Sequence, residues 1–505
     1  MSGIRSKVSG SISLVYVGIY VTVVALIPLF FLIYYSFHVS FSRVFVQVLL
    51  ASVKQSVVQA TVSTAVSLSM GLFFGTLLVI YSGRMKSTLI SLLLVTYVLP
   101  GIIMSLGIIS LFGFSSRFWE IIYGNVIYNA PMIAVLAFST GYSTSIREVY
   151  SARTLGASDA QIITRFYLPN TLRGGLLGGI FTFILSFEGF SLPLIIGGPS
   201  FSTMEVMIYE FKDVFPTFAR FPFSTASFLG LLQILILVAP LYAYLSIRSN
   251  AQRNDSTLPP PLRRYNNVAL VGIVAFIVFI MLPLFEMFFR YPIWDLNALE
   301  LAKRLQLPIS TLLTNTILFA FVSTFFAFLI SIFLTTYRLS VRNQFFVLLP
   351  LIFSPVTLAL SYYLVYGEYL ITAALITLIF TVIVVPLNLR MMGQAIETIS
   401  PSETYSSRLL GDSAIAAFFK VQLPRIRWEI STVLSLMFIT VMGEFSSIVT
   451  VYTPSTETIT IGIYKLLLLR DFKDTYFLTE IFLIVIFMSS FIINQFGKSG
   501  ALGQT

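Results

Sequence analysis

Four groups of residues in this 505-residue chain have types and spacings that suggest chemistry. Two are loops built on one pattern. The first carries Glu148, Tyr150, Ser151, Ala152, Arg153 and Gly156, then Leu168 and Pro169; the second carries Glu403, Tyr405, Ser406, Ser407, Arg408 and Gly411, then Leu423 and Pro424. In each, a short amphipathic helix breaks at a glycine, which takes positive φ freely, and the chain restarts with a proline suited to a first helical turn. Such a loop offers an apolar ridge with basic flanks, which suits docking rather than bond-making. The other two groups are carboxylates inside apolar stretches, Glu188 between Phe187 and Phe190 and Glu444 between Gly443 and Phe445. A carboxylate at membrane depth costs roughly 2.5–3.5 kcal/mol and faces a cavity or a partner. Two roles fit each acid: a contact for a cation on a translocation path, or a hydrogen-bonded structural acid near the end of a span. The absence of cysteine excludes disulfides, thiolate metal sites and cysteine nucleophiles. The single histidine, His38, follows the first apolar run, where an interfacial position explains it. No catalytic or metal-binding residue is assigned.

The elements that must position these residues are membrane helices. The chain is 57% hydrophobic and 10% charged, with mean hydropathy +0.91, far less charged than a soluble domain. Apolar runs near 12–37, 56–81, 88–112, 118–142, 172–197 and 225–248, then 267–289, 309–336, 343–366, 369–392, 429–452 and 475–496, are each long enough to span as a helix. Their continuity argues against a β-barrel. The reading is an all-α polytopic protein of about 12 spans in two parallel halves of six. The halves are 1–248 and 266–505, joined by a proline-rich cytoplasmic linker at 249–265. With both termini inside, 20 of the 31 basic residues fall on the inner side, as the positive-inside rule requires. The net charge of +10 therefore needs no nucleic acid. An offset of 255 maps Pro100, Pro131, Glu148, Tyr150, Arg153, Gly156 and Pro169 onto Pro355, Pro386, Glu403, Tyr405, Arg408, Gly411 and Pro424. Six spans per copy is even, so the copies run in one direction. Glu188 maps onto Gly443, one residue short of Glu444, which turns the two acids about 100° apart on a helix.

The repeated loops resemble the EAA loop of type I, binding-protein-dependent ABC importer permeases, in which Glu-Ala-Ala precedes a glycine and, nine residues on, an apolar-x-Leu-Pro. Tyr150, Ser151 and Ala152, and Tyr405, Ser406 and Ser407, stand at the Glu-Ala-Ala positions, with acids two residues earlier at Glu148 and Glu403. The length is similar to fused two-permease forms of the iron(III) and thiamine branch. The resemblance implies a permease in the cell membrane that works with two cytosolic ABC ATPases and an external substrate-binding protein. It implies a small solute, iron(III), thiamine or a relative, moved by alternating access. ATP and Mg²⁺ would be held by the ATPases, since the phosphate-loop-like Gly497, Lys498 and Ser499 lack the upstream glycine, Ile492 standing there. The external loops at 211–223 and 290–307 mix aromatic and charged groups, which fits a docking face or interfacial anchoring equally. A 6+6 secondary transporter driven by an ion gradient would share the parallel repeat, but has no need of two matching cytoplasmic loops.

Overall fold

A computed structural model describes residues 16–198, 201–214, 223–249, 262–290, 298–305, 308–336, 350 and 353–499. Most of the linker (250–261), parts of both external loops and the start of the ninth expected span lie outside them.

The described chain is helical. Its main elements are α1 (Tyr16–Ser36), α2 (Arg43–Ile80), α3 (Lys86–Val98), α4 (Gly101–Phe112), α5 (Arg117–Tyr142), α6 (Ile146–Thr154), α7 (Asp159–Ile162), α8 (Leu168–Phe187), α9 (Met204–Tyr209) and α10 (Ser224–Ser249). They continue as α11 (Asn266–Arg290), α12 (Ala298–Leu305), α13 (Ile309–Thr336), α14 (Pro355–Tyr366), α15 (Thr372–Glu397), α16 (Pro401–Leu409), α17 (Ala414–Ala417), α18 (Arg427–Met442), α19 (Ile459–Leu468) and α20 (Phe472–Ser499). Eight described helices are long and apolar enough to cross a membrane. This is an all-α polytopic membrane architecture.

Several expected spans are broken rather than continuous. The 88–112 run bends by 93° between α3 and α4. Pro100 caps α4 with extended backbone, because it lacks the amide that would continue the helix and restricts the residue before it. The 172–197 run stops at Phe187, with Gly189 and Pro193 following. Its counterpart stops at Met442 beside Gly443. Hydropathy sees each as one span because the apolar character carries on across the break.

The repeat is structural as well as sequential. α5 and α15, α6 and α16, and α7 and α17 each begin and end 255 residues apart. The chain gathers into two compact units. One comprises Phe41–Met207 and Leu232–Arg290, the other Met1–Ser40, Ile208–Leu231 and Tyr291–Thr505. These units do not follow the sequence halves: α1 groups with the second half and α11 with the first.

In the first unit α2, α5 and α8 pack together. The contact is close because α2 buries a stripe of small residues, Ser56, Ala60, Ser63, Ser67, Gly71 and Gly75, at the three- and four-residue spacing of one helix face. A Cβ on Gly71 would sit 2.5 Å from Ile133, and one on Gly174 2.4 Å from the Leu136 carbonyl. Phe276 of α11 stacks on Phe74 with ring centroids 4.0 Å apart. In the second unit α13, α15, α18 and α20 form the bundle, and Tyr362 of α14 donates a 2.8 Å hydrogen bond to the Val24 carbonyl of α1.

Candidate functional site

The two repeated loops share a backbone turn. At the end of α6 the amide of Gly156 donates to the Arg153 carbonyl and that of Ala157 to the Ala152 carbonyl, both at 3.0 Å. At the end of α16 Gly411 donates to Arg408 at 3.2 Å and Asp412 to Ser407 at 3.3 Å. This paired closure satisfies the last carbonyls of a helix and requires a left-handed residue just beyond it. Gly156 (φ +85) and Gly411 (φ +103) supply it. A serine then restarts the chain. Ser158 and Gln161 form a reciprocal capping box on α7, and the Ser413 hydroxyl accepts from the Ala416 amide at 3.1 Å.

The loops also share an exposed apolar tip. Leu155 is 89% exposed, and Leu409 and Leu410 are each 88% exposed. Tyr150 and Tyr405, on the helix before each turn, are half exposed. Each tip stands on a buried anchor. In the first loop Val149, Ile162 and Tyr167 are buried, and burial pushes the Tyr167 phenol up to about 12. Asn170, just past Pro169, donates to Thr144 Oγ1 at 2.9 Å and closes that loop at its base. In the second, Phe418 is wholly buried among Met392, Ile426 and Ile430, with Leu423 packed against them. Pro169 and Pro424 are exposed in their first helical turns.

The ionic wiring, by contrast, is not repeated. Arg153 donates to Asp159 Oδ1 at 2.9 Å within the first loop, whereas Arg408 is exposed and makes no ion pair with a described side chain. In the second loop Lys420 pairs with Asp412 at 2.5 Å, and Arg425 pairs with Glu403 at 3.0 Å. Hydrogen bonds from Lys420 and Ser407 hold the Asp412 carboxyl below its usual value. Glu148, the counterpart of Glu403, is exposed. Ser151 and Ser406 are exposed, Ala152 is partly buried, and Ser407 is buried, its hydroxyl donating to Asp412. The turn and the leucine tip are thus the features common to both loops.

The two acids of the 172–197 and 429–452 runs differ in setting and lie in different compact units. Glu188 ends α8, and its Oε1 accepts no hydrogen bond from a described residue. Glu444 accepts from the Ser447 amide at 3.0 Å and hydroxyl at 3.2 Å, the arrangement of a local turn cap. Sequence reading passed over a third acid, Glu480. It is 1% exposed in the apolar part of α20, and neither oxygen accepts a hydrogen bond from a described residue. A single charge within the 475–496 run was the available signal.

Sequence reading also missed a buried amide network in the first unit. Asn125 donates to Gln59 Oε1 at 2.9 Å and to Ser63 Oγ at 3.0 Å. Gln59 donates to the Ser186 carbonyl, and Asn129 to the Asn125 carbonyl. The repeat places Phe319 and Phe380 at the positions of Gln59 and Asn125, and those two rings meet edge to face in the second unit.

Comparison with known proteins adds a direction. No family model matches the chain. It is 26% identical over 137 residues to the spermidine/putrescine transport system permease protein PotC of Escherichia coli (strain K12), a match taking 26% of this chain. It is also 26% identical over 133 residues to the protein of the same name from Haemophilus influenzae. The match covers 52% of each relative, so the chain spans about half the length of the curated relatives it matches, and its similarity is to transport-system permeases.

Proposed function

We propose that this chain is the permease of an ATP-binding-cassette importer in the cell membrane, its two sequence halves acting as two permease domains in one polypeptide. The observation that carries this reading is the pair of loops, each ending a short helix at a left-handed glycine and thrusting an almost fully exposed leucine outward. Exposed leucine and tyrosine on an ion-paired, capped turn suit insertion into a cleft of another protein. Two such loops call for two ATPase subunits. The motif glutamate is absent from both, so the contact rests on Tyr150, Leu155, Tyr405, Leu409 and Leu410, with Arg408 available for an acidic group. ATP hydrolysis belongs to those partners, and an external binding protein delivers the solute.

The solute is proposed as a small cation. The branch resembled by the sequence handles iron(III) or thiamine, and the matched relatives are named for spermidine and putrescine; positive charge is common to all four. Glu188 in one unit, or Glu480 in the other, each an acid of an apolar run without a local cap, is a candidate to meet it.

The test is co-purification of the chain with the two ATPases, before and after Leu155→Asp and Leu410→Asp. The reading expects the parent to retain both ATPases and the double variant to lose them while still inserting in the membrane. Gradient-driven transport by the chain with no ATPase bound would instead establish a secondary transporter.

A further inference from the structure

A groove of about 540 Å³ runs between α13 and α15 within the second unit. Leu318, Val322, Phe326 and Ile330 line it from α13, at the four-residue spacing of one helix face. Ala373, Ala374 and Thr377 line it from α15, and their small size leaves the space. At the offset of 255 the first half carries Phe118, Trp119 and Ile122 in their places on α5. One copy of the repeat thus has bulky side chains where the other has room for a ligand.

The lining carries no charge. Thr377 Oγ1 donates to the Ala373 carbonyl at 2.8 Å, and Thr381 Oγ1 donates to the Thr377 carbonyl at 2.7 Å. Both hydroxyls of the groove are therefore bonded within their own helix. A charged solute would lose water there and meet no opposite charge. The occupant must be apolar.

Position and length narrow the choice. Ser323 donates to the Thr377 carbonyl at 3.2 Å and Asn388 to the Ala327 carbonyl at 3.3 Å, so α13 and α15 run in the same direction. Because α15 leads into the second coupling loop, Ala373 and Ala374 mark the end remote from that loop. From there the groove follows α13 from Leu318 to Ile330, about 18 Å at the helical rise. One leaflet of a hydrocarbon core is about 15 Å deep. Leu318 and Phe326 of the groove wall are about half exposed, as are Phe321 and Phe325 beside them. The groove is thus continuous with the apolar surface that a membrane helix presents to lipid.

We infer that this groove seats one acyl chain of a phospholipid from the leaflet remote from the coupling loops. The inference rests on the membrane architecture and not on the importer reading. Lipid tails are as apolar as the lining, so close packing is what holds the chain. An empty groove forfeits the dispersion contacts of its walls, and a methylene chain restores them.

The experiment uses the full permease in nanodiscs of phosphatidylethanolamine and phosphatidylglycerol, with a trace of phospholipid bearing a diazirine midway along one acyl chain. After photolysis, peptide mass spectrometry should find adducts on 318–330 and 373–381 at least fivefold over the counterpart segments 58–70 and 118–126. Moving the diazirine lipid from one headgroup to the other should not change that ratio. Ala373→Phe, Ala374→Trp and Thr377→Ile together copy the first half and should reduce groove adducts to the counterpart level, with the melting temperature held. Equal labelling of the two halves in the parent, which needs no variant, would mean bulk lipid only and overturns the assignment. So does undiminished labelling of the folded triple variant. A photo-crosslinker on Leu318→Cys, the natural chain having no cysteine, should capture lipid; capture of a second polypeptide instead would make the groove a protein contact and also overturns it.

Discussion

At Leu155 and Leu410 the chain exposes a large apolar side chain next to a glycine that only a tight turn requires. Truncating an exposed leucine has little effect on folding, within about 0.5 kcal/mol. Buried in a partner's cleft it contributes about 2 kcal/mol, or roughly 30-fold in affinity. Leu155→Ala and Leu410→Ala should therefore leave thermal unfolding unchanged and each weaken ATPase binding about 30-fold, as titration calorimetry would measure. The glycines are a separate case. A Cβ at Gly156 or Gly411 meets nothing within 4 Å, so the cost of substitution is conformational, about 1–2 kcal/mol. Valine should impair coupling at either position, and asparagine, which tolerates the left-handed region, should restore most of it in an ATPase assay. The spacing of Gly156 to Pro169 and Gly411 to Pro424 made these residues legible in the sequence. Their leucines were less so, because exposure depends on the turn that lifts them clear of the bundle.

The two loops show how one element can be stapled differently. The first relies on Arg153–Asp159, the second on Lys420–Asp412 and Arg425–Glu403. Asp412 is held below its ordinary value, with the hydrogen bond from Lys420 the largest cause. A depressed carboxyl stabilises the folded loop above its unfolded value, and that contribution is lost as pH falls through the folded one. Intrinsic-rate-corrected hydrogen exchange in α16 and α17 should be constant from neutral pH to about pH 5 and loosen below about pH 4. Asp412→Asn should remove that dependence. The amide network among α2, α5 and α8 has its own expected cost. Asn125→Leu leaves the buried Gln59 Oε1 without its donor and should destabilise by about 1–3 kcal/mol, seen as a lower unfolding temperature in detergent. Helices such as α13 and α10 were legible because uninterrupted apolar runs define them. The break at Pro100 was signalled by a proline inside an apolar run, whereas the one at Glu188 was not, since hydropathy is blind to direction. The network was not, because Gln59 and Asn125 become partners only when two distant helices pack.

For the whole molecule, the sequence repeat and the compact units divide the chain differently, with α1 and α11 exchanged between halves. Repetition was legible through the constant offset of Pro and Gly. The exchange was not, because a first helix carries no mark of which bundle will bury it. Positive-inside bias predicts that both coupling loops face one side. With no native cysteine, Cys at 155 and 410 should label only from the cytoplasmic face with a membrane-impermeant maleimide. The central claim is that the leucine-tipped loops hold the ATPases. Its most direct test is ATP hydrolysis by the reconstituted complex carrying both Leu155→Asp and Leu410→Asp. The account predicts that the ATPases dissociate and solute-stimulated hydrolysis disappears, while the permease remains folded in the membrane. Stimulated hydrolysis at the parent's rate, with both ATPases still bound, would contradict it.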